Sequence, residues 1–178
     1  KKTKCAIKYS NLHNMKMKIK YGIVGSGLMG CEHISNINLI DSAEVVAISD
    51  SNENSINKAK NLISNDIKIY SNNNEIFKNN EVDAFIISTP NFTHHDIIKE
   101  ALKTKKHLLI EKPLCTKLED CLEIKKLSTS YPSVIWVAME YRYMPPVQKM
   151  IQEIDSNKIG KIKMLSIREH RFPFLKKV

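Results

Sequence analysis

Ile19-Lys20-Tyr21-Gly22-Ile23-Val24-Gly25-Ser26-Gly27-Leu28-Met29-Gly30 decides how this chain folds. The first six residues read as an apolar strand, which runs straight into three glycines spaced G-x-G-x-x-G. A helix-like stretch follows, then a second apolar run, Val45-Val46-Ala47-Ile48-Ser49. That run ends at Asp50, twenty residues after Gly30. Three glycines alone recur by chance in turns. A strand before them, a helix after them and an acid at this distance complete the dinucleotide-binding context.

The spacing has physical reasons. Gly25 allows a sharp turn off the strand, and Gly27 lets a pyrophosphate approach the backbone without meeting a side chain. Gly30 lets the helix pack close to the sheet. Ser26, Leu28 and Met29 complete the loop, whose free N–H groups and helix dipole favour a phosphate. Asp50 is placed to accept hydrogen bonds from the adenosine ribose hydroxyls. A 2′-phosphate there would meet like charge, at up to about 4 kcal/mol for unit charges roughly 4 Å apart at an effective dielectric of about 20. Ser51 and Asn52 follow, with no Arg or Lys to offset it. The expected cofactor is therefore NAD rather than NADP.

Outward from the loop, strands and helices alternate about seven times. The pattern predicts a helix over 51–62, a strand at 67–70, a short helix at 75–79 capped by the polar turn 71–74, and a strongly apolar strand at 83–88. A helix over 93–104, a strand at 107–110, a helix over 118–129 and a strand at 134–138 come next. This is an α/β pattern, a doubly wound parallel sheet with right-handed crossovers. Pro145-Pro146 marks a change of regime: a helix over 147–154, Gly160, then apolar–polar alternation over 161–171 like a strand of an exposed sheet. The expected domains are a basic extension at 1–17, a Rossmann domain at 18–138, and the start of an incomplete α+β substrate domain at 139–178.

Composition narrows the class. The net charge is +9, but residues 1–20 hold seven lysines and no acid, so the rest of the chain is nearly balanced. The leader has no aromatic interleaving and no nucleic-acid motif, which argues against a nucleic-acid partner. It is expected to be poorly ordered, with Met15 or Met17 a candidate start. No apolar run is long enough for a membrane span, and the leader lacks a signal-peptide core. Cys5, Cys31, Cys115 and Cys121 form no CxxC pair and no metal-ligand spacing, so reduced thiols in the cytoplasm and no metal site are expected. Both ends read as cut, so a piece of a longer protein is expected.

Two further segments end at the carboxyl ends of strands, where ligands of open parallel sheets bind. They are Ser88-Thr89-Pro90-Asn91-Phe92-Thr93-His94 and Ile110-Glu111-Lys112-Pro113-Leu114. With the glycine loop and Glu140-Tyr141-Arg142-Tyr143 followed by Pro145, these resemble, in order, the signatures of the Gfo/Idh/MocA oxidoreductases. The resemblance covers about residues 18–178. It implies that Lys112 is the active-site lysine near nicotinamide and substrate hydroxyl, that Glu111 lines the same pocket, and that Pro113 follows a cis peptide. It also implies that Thr89, Asn91 and His94 belong to a loop packed on the cofactor, and that Arg142 and Tyr143 form a hinge re-entering the cleft. The expected activity is hydride transfer between a nicotinamide cofactor and a secondary hydroxyl or ketone of a sugar, cyclitol or similar polyol, in a homo-oligomeric parent.

Plainer roles stand beside these. Glu111 could neutralise Lys112, His94 could cap the following helix, and Arg142 could tie two domains together. Lys112 could act as base, which needs a pKa lowered toward about 7–8. Alternatively it stays charged and orients the substrate oxygen while a second-domain histidine acts as base. The resemblance places that histidine, in an Asp-x-x-x-His pattern, beyond Val178, and little turnover is expected from the present chain. The competing class is a non-catalytic cofactor-binding sensor of the same fold.

Overall fold

The computed structural model describes residues 18–170. The expectations for the leader 1–17, and for the end of the alternating segment at Arg171, lie outside the described residues. Six strands form one parallel sheet: β1 (Ile19–Val24), β2 (Ala43–Ser49), β3 (Lys68–Tyr70), β4 (Ala84–Ile87), β5 (His107–Ile110) and β6 (Ile135–Val137). Their order is β3-β2-β1-β4-β5-β6, all pairs being parallel. This is the doubly wound order, and its direction reverses between β1 and β4.

Alternation along each strand separates two cores. Ile23, Val45, Ile48 and Ile86 pack with Ile34 and Ile37 of α1 (Leu28–Ile37) and Ala59 of α2 (Glu53–Lys60). Val24, Ala47, Phe85, Ile87, Leu108 and Ile110 face the other way. They meet Ile76 of α3 (Asn73–Ile76), Ile98 and Ala101 of α4 (His94–Leu102), and Ile124 of α5 (Leu118–Ser128). All four residues of β4 are buried, as expected of a strand covered on both faces.

Through Asp155, element types agree with the sequence patterns, and boundaries move for identifiable reasons. The Asn52 side chain accepts from the N–H groups of Asn54 and Ser55, so α2 starts at Glu53 rather than 51. Asn72 accepts from Asn74 N–H, which starts α3 two residues before the expected 75. Pro145 and Pro146 open α6 (Pro145–Asp155) instead of preceding it. Proline is tolerated in a first helical turn, where its missing N–H would have no partner anyway.

One expected element is corrected. Residues 161–170 form no strand. Alternation describes one strand's faces, but a strand exists only when its N–H and C=O groups find a ladder, and none is present among the described residues of this part of the chain. The described residues through Ala138 and those from Met139 onward form two compact units. In the second, Tyr141 donates its hydroxyl hydrogen to Glu169 at 2.6 Å, and the Gln148 amide donates to the Arg142 carbonyl. No helix among the described residues is long and apolar enough to cross a membrane.

Candidate active site

The turn from β1 into α1 is built by close backbone approach. Gly25 sits at φ +88°, and a Cβ there would lie 2.8 Å from Thr89 N, so neither conformation nor space admits a side chain. A Cβ on Gly30 would lie 2.2 Å from the Gly25 carbonyl oxygen. That carbonyl accepts from Ser88 Oγ at 2.7 Å, tying the loop to the end of β4. Gly27 differs: a Cβ there meets nothing within 4 Å. Its bareness is unnecessary for packing and leaves open space above the loop.

Ser26 turns inward. It is fully buried, its N–H donates to Asp50 Oδ2 at 2.8 Å and its hydroxyl donates to the same oxygen at 3.3 Å. Asp50 Oδ1 accepts from Asn52 N–H at 2.8 Å. The acid is therefore fixed from both sides, and Ser26 acts on the cleft through Asp50.

Gly25, Gly27, Leu28, Met29, Asp50 and Thr89 line one cleft of ≈ 580 Å³, together with Asn52, Ser55, Asn73 and Phe92. No side chain caps α1, so the N–H groups of its first turn have no partner from a capping group. Leu28 and Phe92 are 79% and 78% exposed at this cleft, apolar surface that a ligand would cover. Open space over Gly27, uncapped N–H groups and a fixed carboxylate suit the adenosine diphosphate half of a nicotinamide dinucleotide. A second cavity of ≈ 510 Å³, between α5 and β6, is lined by Leu114, Leu122, Ile135 and Val137 among others and holds no acid or histidine.

Asn91 is exposed in a 3-10 turn, Asn91–Thr93. His94 is fully buried. Its ring nitrogens meet the Pro113 carbonyl at 2.8 Å and the Thr89 carbonyl at 3.0 Å, so the ring joins two loops and does not cap α4, whose N-cap is Thr93. Arg142 lies in the second unit.

The Glu-Lys-Pro turn leaves β5 with a cis Lys112–Pro113 peptide. Lys112 is exposed, while Glu111 is only 6% exposed. His33 on α1 donates from Nε2 to Glu111 Oε1 at 2.8 Å, and Lys112 N–H donates to Oε2 at 3.2 Å. Among the described residues, no carboxylate is in ion-pair range of the Lys112 ammonium; the alternative in which Glu111 neutralises Lys112 gives way to a Glu111–His33 pair. His33 was missed from sequence, yet a signal existed: it occupies the helix face of the buried Gly30, Ile34 and Ile37, where a polar side chain needs a partner.

Burial pushes the Glu111 carboxyl up, but the His33 hydrogen bond and attraction, with the Lys112 N–H and charge, outweigh it and hold the group below the usual carboxylate range. A depressed carboxyl stabilises the fold above its ordinary value of 4.5 and loses that contribution as pH falls through the lower folded value. Melting temperature should therefore drop on acidification below 4.5, and by a smaller amount in Glu111→Gln. Thermal melts of both proteins across this range measure the difference.

Residues 19–139 match the family described as oxidoreductases with an NAD-binding Rossmann fold. The chain belongs to the Gfo/Idh/MocA family. It is 27% identical over 149 residues to myo-inositol 2-dehydrogenase of Thermotoga maritima, covering 84% of this chain and 44% of that protein. It is 30% identical over 146 residues to the inositol 2-dehydrogenase/D-chiro-inositol 3-dehydrogenase of Lacticaseibacillus casei, covering 81% and 42%. The solved myo-inositol dehydrogenase of Lactobacillus casei, in complex with NAD(H) and myo-inositol, superposes with a TM-score of 0.77 at 29% identity, over 81% of this chain and 43% of that one. The chain thus spans less than half the length of these Gfo/Idh/MocA relatives.

Proposed function

We propose that this chain is the cofactor-binding part of an NAD-dependent dehydrogenase acting on a secondary hydroxyl of a cyclitol, sugar or related polyol. The observation that carries the reading is the glycine-loop cleft, with its fixed Asp50, in the same sheet end as the Glu-Lys-Pro turn and joined to it by α1. Names of relatives that act on inositols support the substrate class. Bound NAD would supply the acceptor for the hydride that leaves the carbinol carbon. The protein's own tasks are then to hold the pyrophosphate on the N–H groups of Gly27, Leu28 and Met29, to accept the ribose hydroxyls on Asp50, and to receive the substrate hydroxyl proton on Lys112. Residues 139–178 are read as the start of the substrate domain.

Calorimetry with NAD and NADP tests the cofactor half. NAD is expected to bind more tightly to the parent. Asp50→Ala should weaken NAD by about tenfold or more, the worth of a hydrogen bond to a charged group, and narrow its advantage over NADP. Equal affinity of the parent for both cofactors would refute the assignment of Asp50. Reduction of NAD by myo-inositol, followed by absorbance on the protein extended past Val178, tests the enzyme reading against the sensor reading, which expects binding without turnover.

A further inference from the structure

Helix α1 starts at the glycine loop and, at its fifth residue beyond Leu28, delivers His33 to the end of β5. The Glu111 side chain there is 8% exposed and that of His33 16%. A carboxylate so shielded from water must be met by protein groups, and its nearest cation in sequence is the adjoining Lys112. Instead, one oxygen takes the His33 Nε2 hydrogen and the other the Lys112 backbone N–H. On the other side of Lys112, the Pro113 carbonyl is held by His94. Lys112 therefore projects from a turn fixed at both neighbours, with its ammonium outside ion-pair range of any described carboxylate.

We propose that His33 is a positioning residue for Lys112: by holding the Glu111 carboxylate, it keeps that charge from closing onto the neighbouring ammonium. The inference rests on Lys112 as the group beside the substrate, but its structural content concerns three side chains of this chain and is tested without cofactor or turnover. Loss of the His33 bond releases Glu111 to pair with Lys112. An opposite charge brought close favours the protonated, unreactive amine.

The test is trace labelling of the full chain with acetic anhydride, reading Lys112 against the exposed Lys117 by peptide mass spectrometry. The bond is made by Nε2, so His33→Gln can reproduce it, whereas His33→Asn is too short. In His33→Asn the Lys112/Lys117 ratio is expected to fall about tenfold, while His33→Gln stays near the parent. In Glu111→Gln the ratio stays near the parent, and adding His33→Asn to it causes no further fall. An unchanged ratio in His33→Asn overturns the proposal. So does a rise of about tenfold in Glu111→Gln alone, which would mean that Glu111 already pairs with Lys112; this arm can overturn the proposal even where His33→Asn does not fold. Failure of the functional reading shows separately, as absence of NAD binding in the parent.

Discussion

Gly30→Ala should destabilise the fold at or beyond the upper end of the roughly 1–3 kcal/mol range for overpacking. The added Cβ would lie 2.2 Å from the Gly25 carbonyl oxygen and 3.2 Å from Ser88 Oγ. The carbonyl is backbone in a turn whose φ of +88° only glycine adopts readily, so it cannot step aside without reopening the loop. Alanine's better helix propensity returns only about 1 kcal/mol. Gly27→Ala is the matched control. Its Cβ meets nothing within 4 Å, so urea melting should be nearly unchanged while NAD affinity falls, because the methyl occupies space above the loop. Equal melting curves for Gly30→Ala and parent would show that α1 does not depend on this contact. Unchanged NAD affinity in Gly27→Ala would remove the phosphates from the loop.

That contrast also shows what was legible in the sequence. The three glycines, the apolar run before them and Asp50 are local patterns, and a local pattern sufficed to place β1, α1 and β2 and the cleft between them. The buried β4 was likewise legible, since a strand covered on both faces has no polar alternation. Pairings across the sheet were not. His33 and Glu111 are 78 residues apart, and nothing in either segment names the other. Ser26 has the same hidden character: its position in the loop suggests a phosphate contact, and only the folded chain shows its hydroxyl turned onto Asp50. The segment 161–170 is the opposite case: its alternation defines two faces, but no neighbour among the described residues completes the hydrogen bonds of a strand.

In the full-length dehydrogenase proposed above, Lys112→Ala should lower kcat by about 10²–10⁴-fold, the range associated with removing a positioned proton-transfer group, with NAD affinity little altered. The amine reaches outward from the turn, while the cleft contacts come from the glycine loop, Asp50 and Thr89. Lys112→Arg separates the two roles that the sequence left open. Arginine keeps a positive charge at any working pH and does not give up a proton in proteins. If Lys112 only orients the substrate oxygen, the arginine variant should retain much of the activity. If Lys112 receives the hydroxyl proton, arginine should be about as inactive as alanine. A lysine takes a proton only when it is itself neutral, so the second outcome requires that the one acid beside it stay engaged by His33 and by backbone. An arginine variant with near-parent kcat would therefore move the proton to another group and leave Lys112 as a fixed charge.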